Sequence, residues 1–216
     1  MLIVLKVTGH LYKYNSKVKE LMEVLEDLVE KEFFIAIIPG GSIFADTVKE
    51  FQKETNADDD LVHWMAIKAM EIYGLYLAKF SRKAIEVYTL KDIENTLMKK
   101  RIPIIMPYKI LKEHDELPHS WEISSDSIAI YIASLIRADL IVFGKIVKGL
   151  LDKDGTLIHR INLDEAFKYI KNEFDKYAIH LLKKFKIPLA LFDITNPNLL
   201  YKIVKLEYGD YTFLSP

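Results

Sequence analysis

Lys6 ends an apolar run, in Leu2-Ile3-Val4-Leu5-Lys6-Val7-Thr8-Gly9-His10. A lysine inside a strand buried on both faces is costly unless its ammonium meets an anion. A lysine snorkelling from an edge strand carries no such demand. In Ile37-Ile38-Pro39-Gly40-Gly41-Ser42 two glycines separate an apolar run from a helical pattern. They suit either backbone N–H groups cradling a phosphate at a helix start or an ordinary strand-to-helix turn. Ser124-Ser125-Asp126-Ser127 opens another helical pattern. There Asp126 is either a first-turn carboxylate favoured by the helix dipole or an organiser of lysines around a phosphate. Lys145 and Lys148 follow the apolar run Leu140–Phe143, where two cations suit nucleotide phosphates and where exposed lysines are also common. All four groups fall at the carboxyl ends of strand-like runs, the place where open α/β sheets bind ligands.

Those runs alternate with helical patterns. Strands are expected over Met1–Val7, Phe33–Ile38, Ala84–Tyr88, Ile102–Met106, Asp139–Phe143, Ile187–Phe192 and Thr212–Leu214. Helices are expected from Asn15 or Ser16 as cap to Lys31, from Ser42 as cap to Gln52, and from Asp58–Asp60 to Phe80. More follow over Lys91–Lys100, Ser125–Arg137, Leu163–Phe185 and Pro197–Lys205. Tyr108–Trp121 reads as an excursion over the surface, and Lys145–Arg160 as a loop or hairpin. The alternation predicts an α/β fold: a three-layer αβα sandwich around a mostly parallel sheet, in one domain spanning residues 1–216.

The 216 residues are enough to bury a sizeable core without staples. Absence of cysteine excludes disulfides, thiolate metal sites and cysteine nucleophiles. A formal net charge of −1 argues against nucleic acid or an anionic membrane surface as partner. No apolar run approaches the roughly 20 residues of a membrane span, and Met1–Leu5 lacks the marks of a signal peptide, so the expected location is the cytoplasm. Lysine outnumbers arginine, and isoleucine and glutamate are plentiful, a bias shared by hyperthermophiles and AT-rich genomes. No histidine has metal-ligand spacing, and neither a Walker loop nor Gly-x-Gly-x-x-Gly occurs.

The order Lys6…Gly9, Gly40-Gly41, Asp126, then Val147-x-Gly149 and Asp152-Lys153-Asp154, resembles the amino acid kinase superfamily. Asp59–Ala66 and the longer Leu117–Ala129 resemble an archaeal and methylotroph branch associated with methanofuran biosynthesis. This resemblance implies an ATP-dependent kinase that converts a furan phosphomonoester bearing an aminomethyl group to its diphosphate. It implies Mg²⁺ on ATP oxygens and a homodimer or higher homo-oligomer. By position, Lys6 would hold the transferring phosphoryl group and Asp126 would orient lysines as the second catalytic residue. Gly9, Gly40, Gly41, Lys145, Lys148 and Gly149 would hold phosphate or nucleotide. Asp58, Asp59, Asp60 and Glu122 are candidates to pair with the ammonium, and Trp64, His119 and Trp121 to pack on the furan. For the tryptophans core packing is the rival reading, and for the aspartates a solvated helix start. The chain departs from the superfamily at Lys145-Ile146-Val147-Lys148-Gly149, where members usually show Thr-Asp-Val-Asp-Gly. It also lacks their later Gly-Gly-Met-x-x-Lys, whose lysine Lys145 or Lys148 would replace. Two rival functions are a kinase of the same fold for another small phosphate or carboxylate, and a nucleotide- or oxyanion-binding protein without turnover.

Overall fold

The computed structural model describes all residues, 1–216. Its elements in chain order begin with β1 (Leu2–Val7), α1 (Asn15–Glu30), β2 (Phe34–Pro39), α2 (Ser42–Thr55) and α3 (Asp59–Ala78). Then come β3 (Ala84–Val87), α4 (Leu90–Met98), β4 (Ile102–Ile105), α5 (Pro107–Glu113), α6 (Ser125–Leu135) and β5 (Leu140–Lys145). The last part holds β6 (Arg160–Asn162), α7 (Leu163–Ala166), α8 (Lys176–Phe185), β7 (Leu189–Asp193), α9 (Leu200–Ile203) and β8 (Tyr211–Ser215).

The eight strands form one sheet in the order β3-β4-β2-β1-β5-β7-β8-β6, parallel except for the β7–β8 pair. The apolar strand runs explain the layers. Strand side chains alternate, so each strand feeds both faces. Val4, Ile141 and Phe143 enter the core on one face with α6 and α8, while Ile3, Leu5 and Val142 enter the core on the other with α1. The expected αβα sandwich is therefore what forms. Helix α3 contributes Ile67 and Met70 to one core and Tyr73 and Leu77 to the other. It crosses the carboxyl ends of β2 and β4, where a Cβ on Gly74 would lie 3.0 Å from Met106 and 3.3 Å from Pro39.

β1 lies between β2 and β5, each parallel to it and reached in opposite directions along the sheet. That reversal opens a crevice at the carboxyl end of β1, beyond Lys6.

Several local expectations are corrected. The helix expected over Leu163–Phe185 is broken. Asp175 caps α8 by accepting from Ala178 N at 2.6 Å, and the side chain of Glu173 accepts from the Lys171 and Asn172 amides in the turn before it. The excursion Tyr108–Trp121 begins as helix α5, because Pro107 at its first turn presets the backbone and loses no helical bond. Neither Asn15 nor Ser42 caps its helix. Asn15 instead accepts from Tyr76 Oη at 3.0 Å, and Gly41 takes the cap position of α2 with no side-chain bond. Arg160, expected as the end of a loop, instead opens a short edge strand, Arg160–Asn162, that pairs with β8. No helix is long and apolar enough to cross a membrane.

Candidate active site

Lys6 and Lys145 meet because of strand alternation. Leu2, Val4 and Lys6 share one face of β1, and Ile141, Phe143 and Lys145 share the same face of β5. Register sets Lys6 opposite Phe143, so Lys145 is the next same-face residue outward. Helix α6 packs on this face through Ile128 and Ile132, and its first turn carries Asp126 to the strand ends. Asp126 Oδ1 lies 2.8 Å from Lys6 Nζ, and its Oδ2 accepts from Lys145 Nζ at 2.5 Å. The Lys6 approach is an ion pair rather than an aligned hydrogen bond. Lys145 also donates to the carbonyl of Glu173.

Lys6 is 5% exposed and Asp126 3%. Burial would push the Asp126 carboxyl up, but the charges of the two lysines, with the hydrogen bond from Lys145, outweigh it and hold it below the usual carboxylate range. Burial, and then the charge of Lys6, pushes the Lys145 ammonium down against the pull of Asp126. Two ammonium groups thus share one carboxylate. The triad carries one net positive charge in a poorly solvated place, and an anionic ligand would balance it.

Asp175 fixes this arrangement. Its Oδ2 accepts from Ser124 Oγ at 2.5 Å and its Oδ1 from Ser127 Oγ at 2.6 Å, while Oδ1 also caps α8. One carboxylate therefore ties the first turn of α6 to that of α8. The sequence reading missed Asp175 because it lay inside the expected long helix. Its signal was an acidic residue just before the apolar helical pattern of Ala178, Leu181 and Leu182.

The glycine loops meet backbone to backbone. A Cβ on Gly9 would lie 2.2 Å from Ser42 N and 2.5 Å from its Cα. Gly40 N donates to Val7 O at 2.8 Å, so Gly40 joins the two loops, whereas Gly9 and Gly41 line the cleft. The cleft measures about 450 Å³ and includes Lys6, Thr8, Asp126, Lys145 and Lys49. Lys49 also went unnoticed in the sequence, as one exposed helical lysine among many.

A smaller hollow of about 150 Å³ adjoins the cleft, sharing Gly41, Ala45, Lys49, Ser124 and Ser125 with it. Its other walls are mostly apolar and include His63, Ile67, Met70, Trp121 and Ile123. Trp121 is held there by its Nε1, which donates to Gln52 Oε1 at 2.5 Å.

Other candidates fall behind or beyond this hollow. His119 bonds Asp60 through Nδ1 and Asp115 through Nε2, and stacks on His63 at 4.4 Å between centroids. Burial opposes protonation of His119, but hydrogen bonds to Asp115 and Asp60 prevail and raise its pKa. Burial, helped by the His119 charge, drives the pKa of His63 down to about 4. Asp60 and His119 therefore back the wall that His63 presents. Trp64 is buried and faces a different hollow with Phe44 and Tyr108, under the ammonium of Lys112 at 3.5 Å from its ring centroid. Asp58 caps α3, Asp59 accepts from Gln52 Nε2 at 2.8 Å, and Glu122 is exposed outside the hollow. No carboxylate lines the small hollow. Lys148 and Gly149 lie apart from the cleft, beside Tyr169 and Lys171. Gly149 has φ +148°, and a Cβ there would lie 2.5 Å from Thr212 Oγ1, so its place is a turn against β8.

No group of three His, Asp or Glu side chains could hold a metal ion. Asp126 is already engaged by two cations. The donor set fits phosphate oxygens better than a resident divalent ion, so Mg²⁺ would be held chiefly by a nucleotide's own phosphates.

Residues 1–193 match the model of the amino acid kinase family. The chain is 32% identical over 213 residues to the [5-(aminomethyl)furan-3-yl]methyl phosphate kinase of Methanocaldococcus jannaschii, covering 97% of this chain and 95% of that one. Among solved structures it resembles UMP kinase from Ureaplasma parvum, with a TM-score of 0.79, 22% identity and 100% of both chains covered. It also resembles uridylate kinase from Archaeoglobus fulgidus, with a TM-score of 0.77, 18% identity and the same coverage. With its fold, its strand-end lysines and these matches over nearly its whole length in accord, the chain belongs to the amino acid kinase family.

Proposed function

We propose that this protein is an ATP-dependent kinase that converts [5-(aminomethyl)furan-3-yl]methyl phosphate to its diphosphate in methanofuran biosynthesis. The observation that carries the reading is the near-full-length identity to the kinase of that name, set beside a buried triad with an unbalanced positive charge. In the reaction an oxygen of the acceptor phosphate attacks the γ-phosphorus of ATP. A new P–O bond forms as the bond to the β-phosphate oxygen breaks, and ADP leaves with the electron pair. The acceptor is already anionic, so no side chain need remove a proton. Phosphoryl transfer then asks for positioning and neutralisation. Lys6 and Lys145 supply charge at the transferring group, Asp126 aims them, and the amides around Gly9 and Gly41 receive phosphate oxygens. Mg²⁺ bound to ATP would supply further neutralisation.

The furan ring fits the small hollow beside Trp121. Its ammonium meets none of the carboxylates suggested for it, and the Trp121 ring, the His63 imidazole and the hydroxyls of Ser124 and Ser125 are the groups available there. That gap favours one alternative, a kinase of this fold for another small phosphate. We place the enzyme in the cytoplasm, and we propose a homo-oligomer, the latter supported by the exposed Leu61, Ile72 and Leu75 on α3.

A coupled ADP-release assay with ATP, Mg²⁺ and the furan phosphate tests this, with UMP, isopentenyl phosphate and acetylglutamate as decoys. Turnover with the furan phosphate alone is expected. Turnover with a decoy instead overturns the substrate and keeps the kinase. No turnover in protein that binds nucleotide leaves only the binding role.

A further inference from the structure

We infer that Lys49 is the residue that grips the acceptor's own phosphate and so selects phosphorylated acceptors over their alcohols. This rests on the phosphate-kinase reading above and names the subsite within it.

Position is the first argument. Ser42, Ala45, Asp46 and Lys49 follow one another at helical spacing on α2, and all four line the cleft. Lys49 also lines the aromatic hollow. Of the cleft's lysines it alone touches both spaces, since Lys6 and Lys145 line only the cleft. An acceptor with its ring in the hollow must carry its phosphate past Lys49 to reach the triad.

Charge is the second. Lys6 and Lys145 are both bound to Asp126 and leave one net positive charge between them. A phosphomonoester alone brings between about one and a half and two negative charges at neutral pH. The γ-phosphoryl group brings more. Mg²⁺ on ATP would offset the nucleotide's share, which leaves the acceptor's own phosphate to be met by a further cation where the two anions approach. Lys49 has no carboxylate within ion-pair distance, not even Asp46 one turn before it. Its ammonium rests 5.0 Å from the centroid of the Trp121 ring. Such a contact is weak at an exposed site, so a phosphate can draw the side chain away. Moving it would also bare the ring face for the acceptor.

The test is calorimetric titration of furan phosphate and of the corresponding furan alcohol, without ATP, into wild type, Lys49→Met and Lys49→Arg. Wild type is expected to prefer the phosphate. In Lys49→Met that preference falls about 10- to 100-fold while the alcohol binds as before. Lys49→Arg keeps most of the preference. In steady state the KM for acceptor rises in Lys49→Met and the KM for ATP stays within about twofold. An unchanged preference overturns the inference, as does an equal rise in both KM values, which would put Lys49 on the nucleotide. If furan phosphate is inert but UMP or isopentenyl phosphate is turned over, the proposed substrate falls. The same comparison, with uridine or isopentenol as the alcohol, then decides Lys49. If wild type prefers no phosphomonoester, the Lys49 reading falls as well.

Discussion

The cleft and the hollow beside it are built from opposite materials. At the phosphate end, charge is carried by strand termini and a helix start, with Lys6 and Lys145 paired to Asp126 and the helix start that carries Asp126 tied down by Asp175 through Ser124 and Ser127. At the ring end, the wall is a loop and a helix face. They are joined by Asp60, Asp115 and His119, an ion-pair set with exposed carboxylates, and by a tryptophan held through Gln52. A phosphate looks the same in every substrate, so its site can be rigid and deep. The ring end must distinguish acceptors, and it sits on segments whose sequence can change without disturbing the sheet.

The sharpest break in this contrast is at Asp126. Its removal takes away the carboxylate that the Lys6 and Lys145 ammonium groups share and leaves the buried Lys6 without an ion-pair partner. Asp126→Ala should cost about 3–5 kcal/mol of stability and abolish turnover. Lys6→Met removes one cation and leaves the remaining pair, Lys145 with Asp126, neutral. It should lower kcat by about 100-fold or more with much less loss of stability. Urea unfolding beside steady-state kinetics separates the two. A Lys6→Met protein of normal activity would remove Lys6 from the transfer step, and an Asp126→Ala protein of normal stability would deny the charge imbalance. For Asp126 the pH sign is clear. Its folded pKa is lowered, so its contribution is present above the ordinary unfolded value near 4 and is lost as pH falls through the folded one.

Gly9 comes next. Its missing Cβ lets the loop after β1 touch the start of α2. In Gly9→Ala backbone must shift by about an ångström or more, at a cost of about 1–3 kcal/mol. The KM for ATP should rise with it, as seen by thermal unfolding and kinetics on one preparation. Unchanged values for both would mean the loops can part freely.

Much of the phosphate end was legible before the structure because it obeys strand periodicity. Lys6 follows Leu2 and Val4 along one face, whereas Lys145 reads from sequence as the first residue of a loop; β5 runs on to Lys145 and so sets it on the same face after Ile141 and Phe143. Asp126 was legible as the start of a helix with a cap before it. The ring end was not. The contact of His119 with Asp60 spans 59 residues and rests on no local pattern. Lys49 looks like any solvated lysine until α2 is docked on the cleft. Asp175 was hidden by a helical pattern that runs through a break, since apolar spacing alone does not register a turn of nine residues between Ala166 and Lys176. Local rules recovered strands and caps, and what they missed depends on how distant segments pack.

The histidine pair tests the ring end. His119 has a raised folded pKa, so its contribution is full below the unfolded value of about 6.5 and fades as pH rises through the folded one. His63 is the reverse. With a folded pKa of about 4, it contributes above about 6.5 and loses that contribution as pH falls toward 4. Asp60, Asp115 and Lys112 face the pair and set the balance. His119→Gln should flatten the alkaline limb of Tm against pH, and His63→Gln the acid limb. Solvent screening leaves about 1 kcal/mol for each, or about 2–4 °C. Identical profiles in all three proteins would show that the pair does not titrate as the geometry requires.

The smallest effect is expected at Lys148, which the sequence set beside Lys145 as a phosphate ligand. Lys145 is in the strand and bonded to Asp126, while three residues later the chain has left the sheet and turned at Gly149 against Thr212. Lys148 consequently lines a separate hollow of about 240 Å³ with Tyr169 and Lys171. Lys148→Ala should leave kcat and both KM values within about twofold, as an exposed charge screened by solvent and salt. A large rise in the KM for ATP alone would place the nucleotide's outer phosphates or base over this hollow. The cleft would then extend along the loop after β5, and the division between a rigid phosphate end and an adaptable ring end would need a third, nucleotide-bearing part.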